Sequence, residues 1–330
     1  MDLSYFGIGL KHARFFSQLT YWSAREDFTS FHPISTSEGL SVKFYSSLLI
    51  LAVSMLLSTH LAFADTSHCT AITSLPNTIS SPGVYCLTQD LTYTQGSGAA
   101  VTIAADGVTL DLNGHALRYT DTPGPGSSSI VGVLVSGHYY FSIIDGTIAG
   151  FFGGISVGSG QSKHARGGLI ADLKIQRNTE GGIFAQCDGC VIRDNMITDT
   201  TIPASYPPLS GNPYALQVFG NGNLVTGNRV YNTNPQEHTS AYAIYINAQN
   251  STVSNNYVAN DQIDTTSAIY GIWVADGNNL VTANQVQNMA NCFWFVGTSA
   301  KYRDNLTANC VEDFGGGTGG VLGFDMGGNN

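Results

Sequence analysis

Four side chains able to move protons fall close together in the chain, Glu237, His238, Asp261 and Asp264. Two carboxyl groups held across a scissile bond, one protonated and one ionised, can act as general acid and general base. The competing account is that each of these carboxylates simply faces water. Lys163, His164 and Arg166 gather in the segment GSGQSKHARGG, where a cation could steady a developing negative charge or a basic loop could merely be solvated. Asp145, Asp172 and Asp194 recur at matching places in related segments. Oxygen ligands of that kind suit calcium, whereas Lys174, Arg177 and Arg193 nearby favour ion pairing or turn capping. Cys187-Asp188-Gly189-Cys190 has the spacing of a redox pair or half a metal site, but no second such pair accompanies it.

None of these groups acts unless something positions it. The chain has 330 residues, 38 of them glycine, with only 11% charged and a net charge of -10. Few charges and many glycines exclude a coiled coil or a helical solenoid. The acidic balance argues against a nucleic-acid partner, which demands Lys and Arg to displace counterions from phosphate. Beyond residue 65 no stretch is apolar for long enough to span a bilayer.

Residues 43–64 read KFYSSLLILAVSMLLSTHLAFA. A lysine, an apolar run and Ala62-Phe63-Ala64 before Asp65 form the pattern of a signal peptide. A membrane anchor is the alternative, against which the run is short and broken by Ser and His. About forty residues precede the positive end. They are expected to be over-called upstream sequence with Val42 as the initiator, or else a long leader, which gives 1–41, a signal over 42–64, a capping segment over 65–99 and the folded domain over 100–330. The protein is therefore expected to be secreted or periplasmic, without a stable membrane anchor. All six cysteines follow the cleavage point, as disulfides in an exported chain would. Proximity pairs Cys69 with Cys86, Cys187 with Cys190 and Cys292 with Cys310, out of fifteen arrangements.

The positioning scaffold is legible as a repeat. Short apolar segments, GISV at 154, GIFA at 182, ALQV at 215, AIYI at 243, GIWV at 271 and CFWF at 292, alternate with VIRDNMI at 191, LVTGNRV at 224, TVSNNYV at 252 and LVTANQV at 280. Copies lie 21 to 33 residues apart, the period of stacked coils. Aligned, they give apolar columns such as Ile143, Ile170, Ile192, Val225, Val253 and Val281, and a polar column of Asn195, Asn228, Asn256, Asn284 and Asn305. Each Asn is expected to form a sharp corner, since Asn tolerates positive φ, and to hydrogen-bond from coil to coil. A second polar file runs through Asp199, Asn232, Asn260, Asn288 and Asn309.

These coils resemble the right-handed parallel β-helix proteins of the pectate-lyase-like superfamily. The resemblance implies an all-β, single-stranded right-handed helix of three strands per coil, about eight coils, with an Asn-lined corner between the second and third strands. It further implies a polysaccharide cleft on the first-strand face, walled by the insertions at 120–130, 200–213, 233–241 and 261–269. On that face, alternation turns Phe184, Gln217, Tyr245, Trp273 and Trp294 outward, where aromatic rings can meet the apolar faces of sugars or merely shield the sheet. Tyr214, Tyr242 and Tyr270 fall on the core side of the same alternation and are expected to form a structural ladder. Glu237, His238, Asp261 and Asp264 then become candidates for proton transfer to a glycosidic bond, which needs two carboxyl groups. The catalytic signatures of polygalacturonases, alginate epimerases and pectate lyases are absent. Two readings follow: an enzyme, hydrolase or lyase, that cleaves or modifies a polysaccharide, and a non-catalytic surface or adhesion protein that binds glycans. No cofactor is required by either, calcium being the one candidate.

Overall fold

The computed structural model describes residues 69–120, 130–158, 164–202, 212–235, 240–263, 268–275, 277–317 and 323–330. The unit Asp65–Asn330 is a parallel β-helix. Among the described residues no helix is long and apolar enough to cross a membrane.

First strands stack on one another in register, from Asn77–Ile79 through Gly98–Ile103, Ile130–Val135, Gly153–Val157, Gly181–Asp188, Tyr214–Asn221, Ser240–Gln249, Ala268–Val274 and Asn291–Phe295 to Glu312–Gly316. Among the described residues that makes ten rungs, where the sequence reading expects about eight coils. The extra ones are end rungs, NTI and EDFGG, too short or too polar to show the repeat pattern. Second strands such as Val191–Arg193, Leu224–Thr226, Thr252–Ser254 and Leu280–Thr282 stack likewise, as do third strands such as Met196–Thr201, Arg229–Asn234, Tyr257–Ala259 and Gln285–Gln287. The two ladders merge into one sheet because Ser142–Ala149 and Leu169–Gln176 turn the corner without a break.

The apolar columns read from the repeats are the core. Ile143, Ile170, Ile192, Val225, Val253, Val281 and Tyr302 are register partners in turn, and all are buried. So are Ile155, Ile183, Leu216, Ile244, Ile272 and Phe293 on the first strands. Burying one such side chain stabilises by about 1.5–3 kcal/mol. β-branched residues suit the stacking because their restricted χ1 packs well on a pleated surface.

The corner between second and third strands differs from the sequence expectation in one respect. The left-handed residue is the one before each asparagine, Asp194, Gly227, Asn255, Ala283 and Asp304, and in earlier coils Asp145 before Gly146 and Asp172 before Leu173, with φ of 50 to 68°. The asparagines themselves point inward, 0–1% exposed. Each Nδ2 donates to the next Oδ1, Asn195 to Asn228 at 3.0 Å, Asn228 to Asn256 at 3.0 Å, Asn256 to Asn284 at 2.9 Å and Asn284 to Asn305 at 3.0 Å. The same Oδ1 atoms accept from the backbone N–H of the asparagine one coil earlier. A second buried file, Asn223, Ser251 and Asn279, satisfies the other corner in the same way. Its signal was present in NLV, STV and NLV, two places before the valine column.

The disulfides are Cys69–Cys86, Cys187–Cys190 and Cys292–Cys310, the pairing that proximity suggested. Arg193 pairs with Asp172 at 3.5 Å and Asp194 at 2.6 Å. No group of three or more His, Cys, Asp or Glu among the described residues is arranged to hold a metal ion.

Candidate functional site

First strands do not alternate perfectly. In Ser240–Gln249 both Ala243 and Ile244 are buried, and the same doubling occurs at Gly182–Ile183, Ala215–Leu216, Gly271–Ile272 and Cys292–Phe293. The first member of each pair is small because the next rung's backbone is close. A side-chain carbon at Gly182 would come within 2.4 Å of the Ala215 carbonyl oxygen, and one at Gly271 within 2.6 Å of the Cys292 carbonyl oxygen. Two inward residues in succession flip the phase, so residues on both sides of the slip face outward.

This overturns the expected placement of Tyr214, Tyr242 and Tyr270. They are half-buried on the outer face, and Tyr242 stacks on each of the other two at a ring separation of 5.0 Å. The neighbouring outward column is Phe184, Gln217, Tyr245, Trp273 and Trp294, in register across five rungs. Tyr245 and Trp273 stack at 4.3 Å and 7°. The two columns meet edge to face: Tyr242 with Tyr245 at 5.2 Å and 83°, Tyr270 with Trp294 at 5.5 Å and 67°. Rings in each file cover part of one another's faces, so edges and hydroxyl groups form much of the outer surface.

Burial and crowding keep these phenols neutral. The pKa of Tyr242 is pushed up to about 12, chiefly by desolvation and secondarily by Tyr214, Tyr270 and Tyr245 beside it. Tyr214, Tyr245 and Tyr270 are raised for the same first reason, Tyr214 additionally by Glu180 and Tyr270 by Glu312.

Beside the aromatic columns lies a cavity of about 470 Å³, walled by Val131, Leu134, Phe152 and Phe184 with Glu180, Tyr214 and Gln217 at its polar side. Glu180 is half-buried there, and desolvation raises its carboxyl above the ordinary range. Reading the sequence did not single it out. It directly precedes a first strand at the sequence TEGG, and only the coil stacking brings it against Tyr214.

Of the proton-transfer candidates, Glu237, His238 and Asp264 lie outside the described residues, as does Lys163. Asp261 sits after a third strand, where its carboxylate accepts from Asn232 Nδ2 at 3.1 Å and its backbone N–H donates to Asn232 Oδ1 at 3.0 Å. It lines a polar recess with Asn232, Asn234, Asn260 and Gln262. The second polar file therefore shifts there: Asn260 turns inward to Thr233, and Asp261 takes the exposed place below Asn232. His164 and Arg166 both reach Asp188, at 3.4 and 3.7 Å.

In four of the coils the third strand is joined to the next first strand by residues 120–129, 202–213, 235–239 and 260–267.

No curated protein matches the sequence. Among solved structures, the Dettilon tailspike protein is similar at a TM-score of 0.51 and 15% identity, over 80% of this chain and 59% of that one. Pectate lyase Pel9A gives 0.49 and 12%, over 72% and 70%. Alginate lyase from Paenibacillus sp. str. FPU-7 gives 0.48 and 15%, over 77% and 99%. At such identities the likeness is one of fold. The family described as the right handed beta helix region matches residues 131–310, more than half of the chain, and it is to that family that the chain, with its stacked parallel coils, belongs.

Proposed function

We propose that the protein engages a polysaccharide along the first-strand face and cleaves or modifies it outside the cell. The observation that carries this reading is the pair of outward columns on one face, Tyr214, Tyr242 and Tyr270 beside Gln217, Tyr245, Trp273 and Trp294. Amphipathic rings with hydroxyl and amide groups at their edges suit a ligand that is apolar on its ring faces and polar around its rim. The signal-peptide pattern and the disulfides support export. Proton transfer is assigned to Glu237, His238, Asp261 and Asp264.

A second reading, a glycan-binding protein without catalysis, has its own support. Asp261 is engaged in the turn ladder, and the carboxyl groups beside the tyrosine column are far apart: Glu312 is five rungs in register from Gly181, the residue after Glu180. At about 4.8 Å per rung that is roughly 24 Å, far beyond the about 5–10 Å of a glycosidase pair.

Incubation with a panel of neutral and uronic polysaccharides separates the readings. New reducing ends alone indicate hydrolysis, reducing ends with unsaturated uronate absorbance indicate elimination, and binding without either indicates the non-catalytic protein. Trp273→Ala should weaken binding about tenfold or more in every case, as loss of a large interfacial aromatic does; unchanged affinity would refute the aromatic face.

A further inference from the structure

Gly153 and Gly181 stand in the outward column that Tyr214, Tyr242 and Tyr270 occupy on later rungs. The fold does not require glycine at either place. Neither has left-handed backbone, and a side-chain carbon would meet nothing closer than Val131 Cγ2 at 3.9 Å or the Tyr214 carbonyl oxygen at 3.8 Å. Their neighbours Gly154 and Gly182 differ, for a side-chain carbon there would press within 2.6 and 2.4 Å of the next rung's backbone. The two missing outward side chains are what opens the cavity of about 470 Å³.

We propose that this cavity is a subsite for an uncharged sugar unit carrying a small O-acyl group. The proposal rests on the polysaccharide reading and names the class of unit that reading leaves open. Val131, Leu134, Phe152 and Phe184 offer no partner to a free hydroxyl, and burying one unpaired is costly. An acyl methyl carries no such penalty and gains from leaving water. The polar side chains, Glu180, Tyr214 and Gln217, can serve the acyl carbonyl and the remaining ring hydroxyls. Among the described residues no cation lines the cavity, so a uronate carboxylate would meet Glu180 there without a counter-charge. Glu180 and Tyr214, the titratable groups among the lining residues, are both shifted toward their neutral forms by burial, which fits an uncharged occupant. The size lies within the range of small-ligand sites, about 300–1,000 Å³.

The test is affinity electrophoresis of the full chain in O-acetylated glucomannan and O-acetylated xylan, each against its own alkali-deacetylated form. At least one acetylated form should retard the protein about tenfold more strongly than its deacetylated counterpart, since one methyl-sized group in an apolar pocket is worth roughly 10–200-fold. Gly181→Tyr extends a tyrosine file that the next rungs already carry. It should lower the affinity for the acetylated form to that for the deacetylated one and leave the latter unchanged, with Gly153→Leu as an independent filling of the same space and circular dichroism as the check on folding. Equal affinity for both members of each pair, or insensitivity to both filling variants, overturns the acyl subsite and leaves the polysaccharide reading standing. No retardation by any form overturns the subsite, and a full panel equally blank overturns the polysaccharide reading with it.

Discussion

Glu180 shows how stacking creates chemistry that a linear reading does not display. Its carboxyl is raised by desolvation, so between the unfolded and folded pKa values the native state holds more protons than the unfolded one. Stability then falls as pH rises through that window. Glu180→Gln keeps the shape without the ionisation. It should raise the melting temperature relative to the parent at neutral pH and leave it unchanged below the ordinary carboxylate range; an equal effect at both pH values would show that the charge is not the cause. Position in the coil, rather than residue type, makes Glu180 distinctive, and one threonine, one glutamate and two glycines in a row carry no periodic signal. Phe184 and Gln217, by contrast, were legible as outward residues because alternation alone places them, and both line the same cavity.

Strands and corners divide along the same line. The valine and isoleucine columns could be read from the chain because their repeat is a direct consequence of stacking, and each of them is a buried register file. The left-handed corner position could not. Asp, Gly, Asn and Ala all occupy it, so no single residue type marks it, whereas from Asn195 to Asn305 the residue beside it is always asparagine, a carboxamide that both donates to and accepts from the coils on either side. The tyrosine file was misplaced since strict alternation cannot foresee a one-residue slip at a small side chain. Asparagine at the corner thus serves hydrogen bonding more than backbone conformation. Asn256→Ala removes the acceptor for the buried backbone N–H of Asn228, while the Nδ2 of Asn228 keeps the Ile192 carbonyl oxygen at 2.9 Å. Chemical denaturation should register a loss of about 1–3 kcal/mol for that orphaned group. Asn221→Ala, which deletes an exposed bond to Asn250, should cost less than about 0.5 kcal/mol. Similar costs for the two would remove the distinction between a buried and a surface ladder.

At the scale of the molecule, each coil is held mainly by the coil above and the coil below, so stability is close to a sum of nearest-neighbour terms and is weakest where a neighbour is missing. Two of the three disulfides sit near the ends of the stack. Cys69–Cys86 ties the first described strands, and Cys292–Cys310 ties the last two first-strand rungs. The interior also changes toward that end, where Phe293 stacks on Phe314 at 5.1 Å and Tyr302 lies 4.5 Å from Phe295 and 5.5 Å from Phe314. Large flat rings fill the interior of these last described coils. Closing an 18-residue separation restricts the unfolded chain by about 3 kcal/mol, a benefit felt by the segment it spans. The double variant Cys292→Ala with Cys310→Ser should therefore speed amide exchange across 291–316 while leaving the central coils around 191–230 protected as before. Trp273, one rung inward, should show the transition between the two behaviours. Uniform acceleration over the whole stack would mean that the helix opens as a single cooperative unit, and the ends would then need no staple of their own.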